Sequence, residues 1–167
     1  MTPERVKELL EGYQANRARL KHLHVEIAEL QRAIEHEQRH ALGDQAIRAQ
    51  QYSGMPHTNA VNKAVEDAAI RFADGYQTPL VKQWSQDLDA LQQEAARLES
   101  AVGYVDVWLS VLSDNERIVM MNHHPIGNMS WRDMAAASPR LVGYFVSESG
   151  LRKIKERANA KINRIAR

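Results

Sequence analysis

Apolar residues recur along the first part of the chain in alternating steps of three and four. Thr2-Pro3-Glu4 supplies a helix N-cap, a proline at the first helical position and an acid in the first turn. From there Val6, Leu9, Tyr13, Asn16, Leu20, Leu23, Ile27, Leu30, Ile34 and Glu37 form one heptad seam, apolar at eight of its ten positions. That is the narrow stripe of a coiled coil, not the wider face of a globular helix. This helix is expected to stop near Gly43. A second seam opens after Thr78-Pro79 and runs Val81, Trp84, Leu88, Leu91, Ala95, Leu98, Val102, Val105, Leu109 and Leu112, apolar throughout. Neither helix can bury its stripe alone, so the two must pair, either within the chain as an antiparallel hairpin or between chains as a dimer. The hairpin is the favoured reading, closed by a connecting segment over 43–78. In that segment Tyr52-Ser53-Gly54-Met55-Pro56-His57 is rich in turn residues. Val61, Val65, Ala69 and Phe72 then predict a short helix from Thr58 or Asn59 to Ala73.

The last third changes character. Ser113-Asp114-Asn115-Glu116 spells a capping box, opening a helix that carries Ile118, Val119 and Met121. His123 to Asn128 predicts a turn. Ser130-Trp131-Arg132-Asp133 is a second Ser-x-x-acid cap, for a helix ending at about Ala137. After Pro139 and Gly143, Ser147 caps a final helix reaching residue 165, with Leu151, Ile154, Ala158, Ile162 and Ile165 on one face. The expected fold is therefore all-α: a long antiparallel helical hairpin or coiled coil over 1–112, then a helix-turn-helix domain over 113–167.

Charge adds direction to this outline. The formal net charge is only +1, yet residues 151–167 hold seven basic side chains against Glu156 alone, a balance of +6, which leaves −5 for the other 150 residues. A basic terminal helix is the usual footprint of a polyanion partner, because lysine and arginine release counterions from phosphates. A solvated helix without a partner would carry the same charges, so the sequence pattern has to separate the two.

Val146-Ser147-Glu148-Ser149-Gly150-Leu151-Arg152-Lys153-Ile154-Lys155-Glu156-Arg157-Ala158 resembles the third-helix segment of bacterial sigma factor region four. There a Val-Ser pair precedes a variable trio, an apolar-Arg-Gln-Ile-Glu run and an alanine. Leu112-Ser113 with Glu116-Arg117 is similar to the opening of that region's first helix, and Ser130 to Ala135 to its second. Ser53-Gly54-Met55-Pro56-His57, with the following Val65-Glu66 helix, resembles the ArpU/RinA-type phage transcriptional regulators. The resemblance implies a DNA-binding regulator of phage or prophage late genes, reading double-stranded promoter DNA with its C-terminal helix. It places base contacts at Glu148, Ser149, Arg152 and Lys153. The guanidinium fork of Arg152 suits guanine. Ser147 and the helix-start amides suit a phosphate, and Lys155, Arg157 and Lys161 would add sequence-independent affinity. The sequence departs from the sigma pattern in spacing: Asp133 to Ser147 is fourteen positions where the pattern has about eight. Either the turn is elaborated or the third helix begins earlier.

Partners expected beside DNA are RNA polymerase or a second copy of the chain, each through the hairpin. A phage DNA-packaging component of the small-terminase kind combines the same helix-turn-helix and coiled-coil features and is the alternative. His36-Glu37-Gln38-Arg39-His40 matches the zinc-protease spelling. A catalytic zinc needs a third protein ligand and an enclosed cleft, and this stretch lies at the polar end of a coiled coil. No catalytic residue, metal or cofactor is therefore expected. The chain has no cysteine, which excludes disulfides and thiolate chemistry. No apolar run approaches the ~20 residues of a membrane span, and no signal-peptide core follows Met1. The expected location is the cytoplasm, in association with the nucleoid.

Overall fold

The computed structural model describes residues 1–51, 70 and 77–166, with side chains described for 1–41, 70 and 77–166. Among these residues the chain is all-α. The helices are α1 (Pro3–Gln51), α2 (Pro79–Ser110), α3 (Asp114–Asn122), α4 (Trp131–Leu141) and α5 (Glu148–Ile165). Among the described residues the two long helices and the three later ones come in the expected order. The expected stop at Gly43 is absent, because α1 continues to Gln51. A single helical glycine costs only about 1 kcal/mol, and the residues from Asp44 to Gln51 include no proline or further glycine to end the helix. The short helix expected from residue 58 to 73 lies outside the described residues, apart from Ile70, which is helical.

Two compact units divide the chain: Met1–His22 with Ala95–Arg167, and Leu23–Glu94. The start of α1 thus shares a unit with the end of α2, which makes their pairing antiparallel and internal to the chain. The division does not fall at 112/113, where the sequence pattern put it. In the first unit Val6, Leu9, Leu10 and Tyr13 pack with Val102, Val105, Trp108, Leu109 and Leu112. The same core takes in Met120 of α3, Ile126 of the following loop, and Ala158 and Ile162 of α5. Leu10 and Trp108 lie off the heptad seams and are buried all the same. The stripe widens where a third layer of helix covers the hairpin end. The Tyr13 hydroxyl donates to Asp106 Oδ1 at 2.6 Å across the helix pair. In the second unit Leu23 and Val81 are enclosed, while Ile27, Leu30, Ile34, Trp84, Leu88 and Leu91 are half-buried.

A second apolar cluster joins the three later helices: Val119, Met134, Val146, Leu151 and Ile154, flanked by Met129, Trp131, Ala135 and Val142. Between α3 and α4 the chain turns back on itself, with Met129 N–H donating to Asn122 O and Gly127 N–H to His123 O. Gly127 is required there, since a Cβ would sit 2.3 Å from the Asn122 carbonyl carbon. Ser130 caps α4 by accepting from Asp133 N–H, and Ser147 caps α5 by accepting from Gly150 N–H.

α4 runs past the expected end at Ala137 to Leu141, carrying Pro139 inside it. Proline has no N–H to give the carbonyl four residues back. The Ser138 hydroxyl takes that place and donates to Ala135 O at 2.8 Å. The same oxygen accepts from the buried Val146 N–H at 2.9 Å. Most of the additional spacing between the second and third helices is therefore extra helix. The third helix starts where its cap predicts, neither earlier nor after a much elaborated turn. Ser138→Ala orphans two buried backbone groups and is expected to cost about 1–3 kcal/mol. In a Pro139→Ala background residue 139 regains its N–H, so the cost should shrink. Denaturant unfolding of the four variants measures this coupling, and equal costs in both backgrounds would count against it.

Candidate nucleic-acid interface

α5 buries Leu151, Ile154, Ala158 and Ile162 at helical spacing, which turns its remaining sides outward. Ser147, Glu148, Ser149, Arg152, Lys153, Glu156, Arg157, Lys161 and Arg164 are all exposed. The first turn is ordered by polar contacts: the Ser147 and Ser149 hydroxyls lie 3.1 Å apart, and Glu148 Oε2 is 3.7 Å from the Arg152 guanidinium. Arg152 also hangs over the Trp131 ring, 5.8 Å from its centre. A cation held at an aromatic face loses less rotamer freedom when it later binds an anion or a base edge. The base-contact set implied by the sigma resemblance (Glu148, Ser149, Arg152, Lys153) is thus gathered on the first two turns of a capped helix, beside Ser147.

The two lysines expected to add phosphate affinity are engaged within the chain. Lys161 Nζ donates to Glu116 Oε2 at 2.7 Å, and that carboxylate also accepts from Ser113 N–H at 2.9 Å, closing the capping box of α3. Burial pushes the Glu116 carboxyl up. The hydrogen bonds from Lys161 and Ser113 outweigh that and hold it below the ordinary carboxylate value. Lys155 is half-buried, donates to His124 O, and lies 5.6 Å from the centre of the Trp131 ring. Burial lowers its pKa. Both lysines fasten α5 to the loop and helix beneath it. Arg157 and Lys153 remain exposed on the outer side.

Trp131 is half-buried at the edge of the second apolar cluster, as a packing residue should be, and also serves as a platform. The His123 ring lies against it, 3.7 Å between ring centres. His123 Nδ1 is 2.7 Å from Met129 O. A carbonyl can only accept, so Nδ1 carries the proton. Burial depresses the His123 pKa; the hydrogen bond to Met129 O works against this, and the neighbouring Lys155, His124 and Arg152 charges add to the lowering. The histidine thus spans from the end of α3 to the start of α4, through Met129 O on one side and the Trp131 ring on the other.

Sequence spacing had no means of finding the Lys161–Glu116 pair, whose members are 45 residues apart. It also passed over Phe145, which stands 72% exposed in the turn before α5. In the zinc-protease spelling on α1, His36, Arg39 and His40 are exposed while Glu37 and Gln38 are half-buried; the His36 and His40 rings are 5.7 Å apart, and Glu35 pairs with Arg39. Among the described residues no group of three or more His, Cys, Asp or Glu could hold a metal. None of the helices described is long and apolar enough to cross a membrane. No family model, curated protein or solved structure matches the chain.

Because the Glu116 pKa is lower in the fold than the ordinary value of 4.5, the stability it contributes is complete above the unfolded value. It is lost as pH falls through the folded one. Lys161→Met is expected to reduce stability by about 1–3 kcal/mol at neutral pH and to weaken this acid-dependent loss. Thermal melts of parent and variant from neutral pH into the acid range test the pairing, and superimposable acid limbs would rule it out.

Proposed function

We propose that the chain binds double-stranded DNA through α5 and regulates transcription. The observation that carries this reading is a capped, internally fastened helix whose outward side concentrates Ser147, Ser149, Arg152, Lys153 and Arg157 while its inner side is held by core. A helix so placed can enter the major groove without the protein rearranging, its first turns toward base edges and its flanks toward phosphates. Arg152, steadied by Glu148 and Trp131, would fork onto guanine O6 and N7, and Lys153 onto an adjacent acceptor. Ser147 with the first amides of α5 would hold a backbone phosphate. Arg157 would neutralise another. Lys155 and Lys161, occupied within the chain, contribute in this scheme by fixing the helix.

The resemblance to ArpU/RinA-type regulators supports late phage or prophage genes as the target. It also supports a role for the hairpin in meeting RNA polymerase or a second copy of the chain. Selection of bound fragments from genomic DNA by the purified full-length protein tests the proposal. Enrichment of one upstream region is the expected result. Enrichment at a packaging site would replace regulation by packaging, and no enrichment would overturn both. On the selected site Arg152→Ala should weaken binding by about 1–3 kcal/mol and relax preference at one base pair. Arg157→Gln should weaken binding to all sequences alike and reduce the salt slope by about one. Unchanged affinity of the Arg152 variant would remove that residue from the base-reading set.

A further inference from the structure

The segment from Val142 to Ser147 holds a large apolar side chain out in solvent between two residues that are themselves anchored. Gly143 adopts φ +84°, a conformation other residues rarely take, and this reverses the chain after α4. Tyr144 is tied by its hydroxyl, which accepts from Asn115 Nδ2 at 2.9 Å. Val146 is buried in the second apolar cluster, and its N–H is fixed by Ser138 Oγ. Phe145 stands between these two anchored neighbours and is 72% exposed, the most exposed large apolar side chain among the described residues. The backbone is held on its C-terminal side by the Val146 N–H bond, and on the other side Tyr144 is tied through its side chain. Val146 points inward, while Phe145 and the N-cap Ser147 on either side of it point out. Phe145 is thus an exposed residue two positions ahead of the N-cap of α5, the end of the helix that carries the residues proposed to face DNA.

We infer that Phe145 is a specificity-determining residue that packs against the C5-methyl group of a thymine in the major groove, next to the base pairs met by the first turn of α5. This deepens the DNA-binding reading and rests on it. The thymine methyl is the one apolar group that the major groove presents, and aliphatic or aromatic side chains read it by contact. A ring already exposed at that end of the helix gains the contact without having to leave the core. A phosphate would gain nothing from the ring, and the cations for phosphates are already on α5. The neighbouring Tyr144 has its hydroxyl committed to Asn115, which leaves Phe145 as the apolar element of the turn.

The test uses the full-length protein and a random-sequence duplex pool, followed by substitution within the duplex it selects. Each thymidine is replaced in turn by deoxyuridine, which removes only the methyl group, and binding is measured for the parent, Phe145→Leu and Phe145→Ala. At one or two thymines the parent should lose about three- to fivefold in affinity, the worth of one buried methyl group. Phe145→Ala should be weaker than the parent on the unmodified duplex and indifferent to deoxyuridine at those same thymines. Phe145→Leu should keep part of the sensitivity. Melting temperatures should be unchanged, because the ring contributes little to the core. Equal deoxyuridine losses in parent and Phe145→Ala, or none in either, would overturn the assignment while leaving DNA binding intact, as would a large fall in melting temperature. If no duplex is selected at all, the DNA-binding reading itself fails, and this inference with it.

Discussion

The Ser138 hydroxyl occupies a position on which the geometry of the last third depends. It donates to the Ala135 carbonyl that Pro139 leaves without a partner, and it accepts from the Val146 N–H that enters the core just before α5. One oxygen thereby joins the end of α4 to the approach of the next helix. With the turn fixed at Val146, the cap at Ser147 follows at once, and the direction of α5 is set within a few residues. Buried backbone groups must find partners. Here both needs, created by a proline and by a buried turn, are met by the same side chain.

The rest of α5 is held by three different kinds of force. Apolar burial of Leu151, Ile154, Ala158 and Ile162 supplies the bulk of it. The Lys161–Glu116 pair adds a directional link to the start of α3. Lys155 does the same toward the loop after α3 through the His124 carbonyl. The +6 balance of the terminal segment therefore divides in two. Part of it is consumed internally as fastening, and part, with Arg152, Lys153 and Arg157, faces outward. Counting charges along the sequence could not make that division. Lysine side chains reach far enough to find partners on other helices, and the partners are remote in sequence.

Local signals in the sequence were sufficient for the starts of the described helices. The Thr-Pro starts, the heptad seams and the serine caps at 113, 130 and 147 each correspond to an observed boundary, because they act through residues three or four positions away. What was not legible depends on contacts between distant segments or on weak local preferences. Gly43 lacks the power to end a long helix. Pro139 ends nothing, because a serine before it supplies the missing partner. The expected boundary at 112/113 assumed that a change of pattern marks a change of core. Instead Leu10 and Trp108 carry the hairpin's core on into the later helices. For the candidate site, the helix start and the exposed arginine were readable from capping and charge. The Trp131 platform beneath Arg152 and the exposed Phe145 ring emerge only once the turn is folded.

That common core also determines how the molecule could be taken apart. A fragment beginning at Ser113 would strip Met120, Ile126, Ala158 and Ile162 of the hairpin residues they pack against, leaving a greasy flank on a small basic peptide. The separable piece is discontinuous in the chain, the first 22 residues together with everything after residue 94. Making it a single polypeptide would require replacing the whole of Leu23–Glu94 with a short linker from the start of α1 to the end of α2. Leu23–Glu94 is thus an insertion from the standpoint of the folded unit, although it is continuous in sequence.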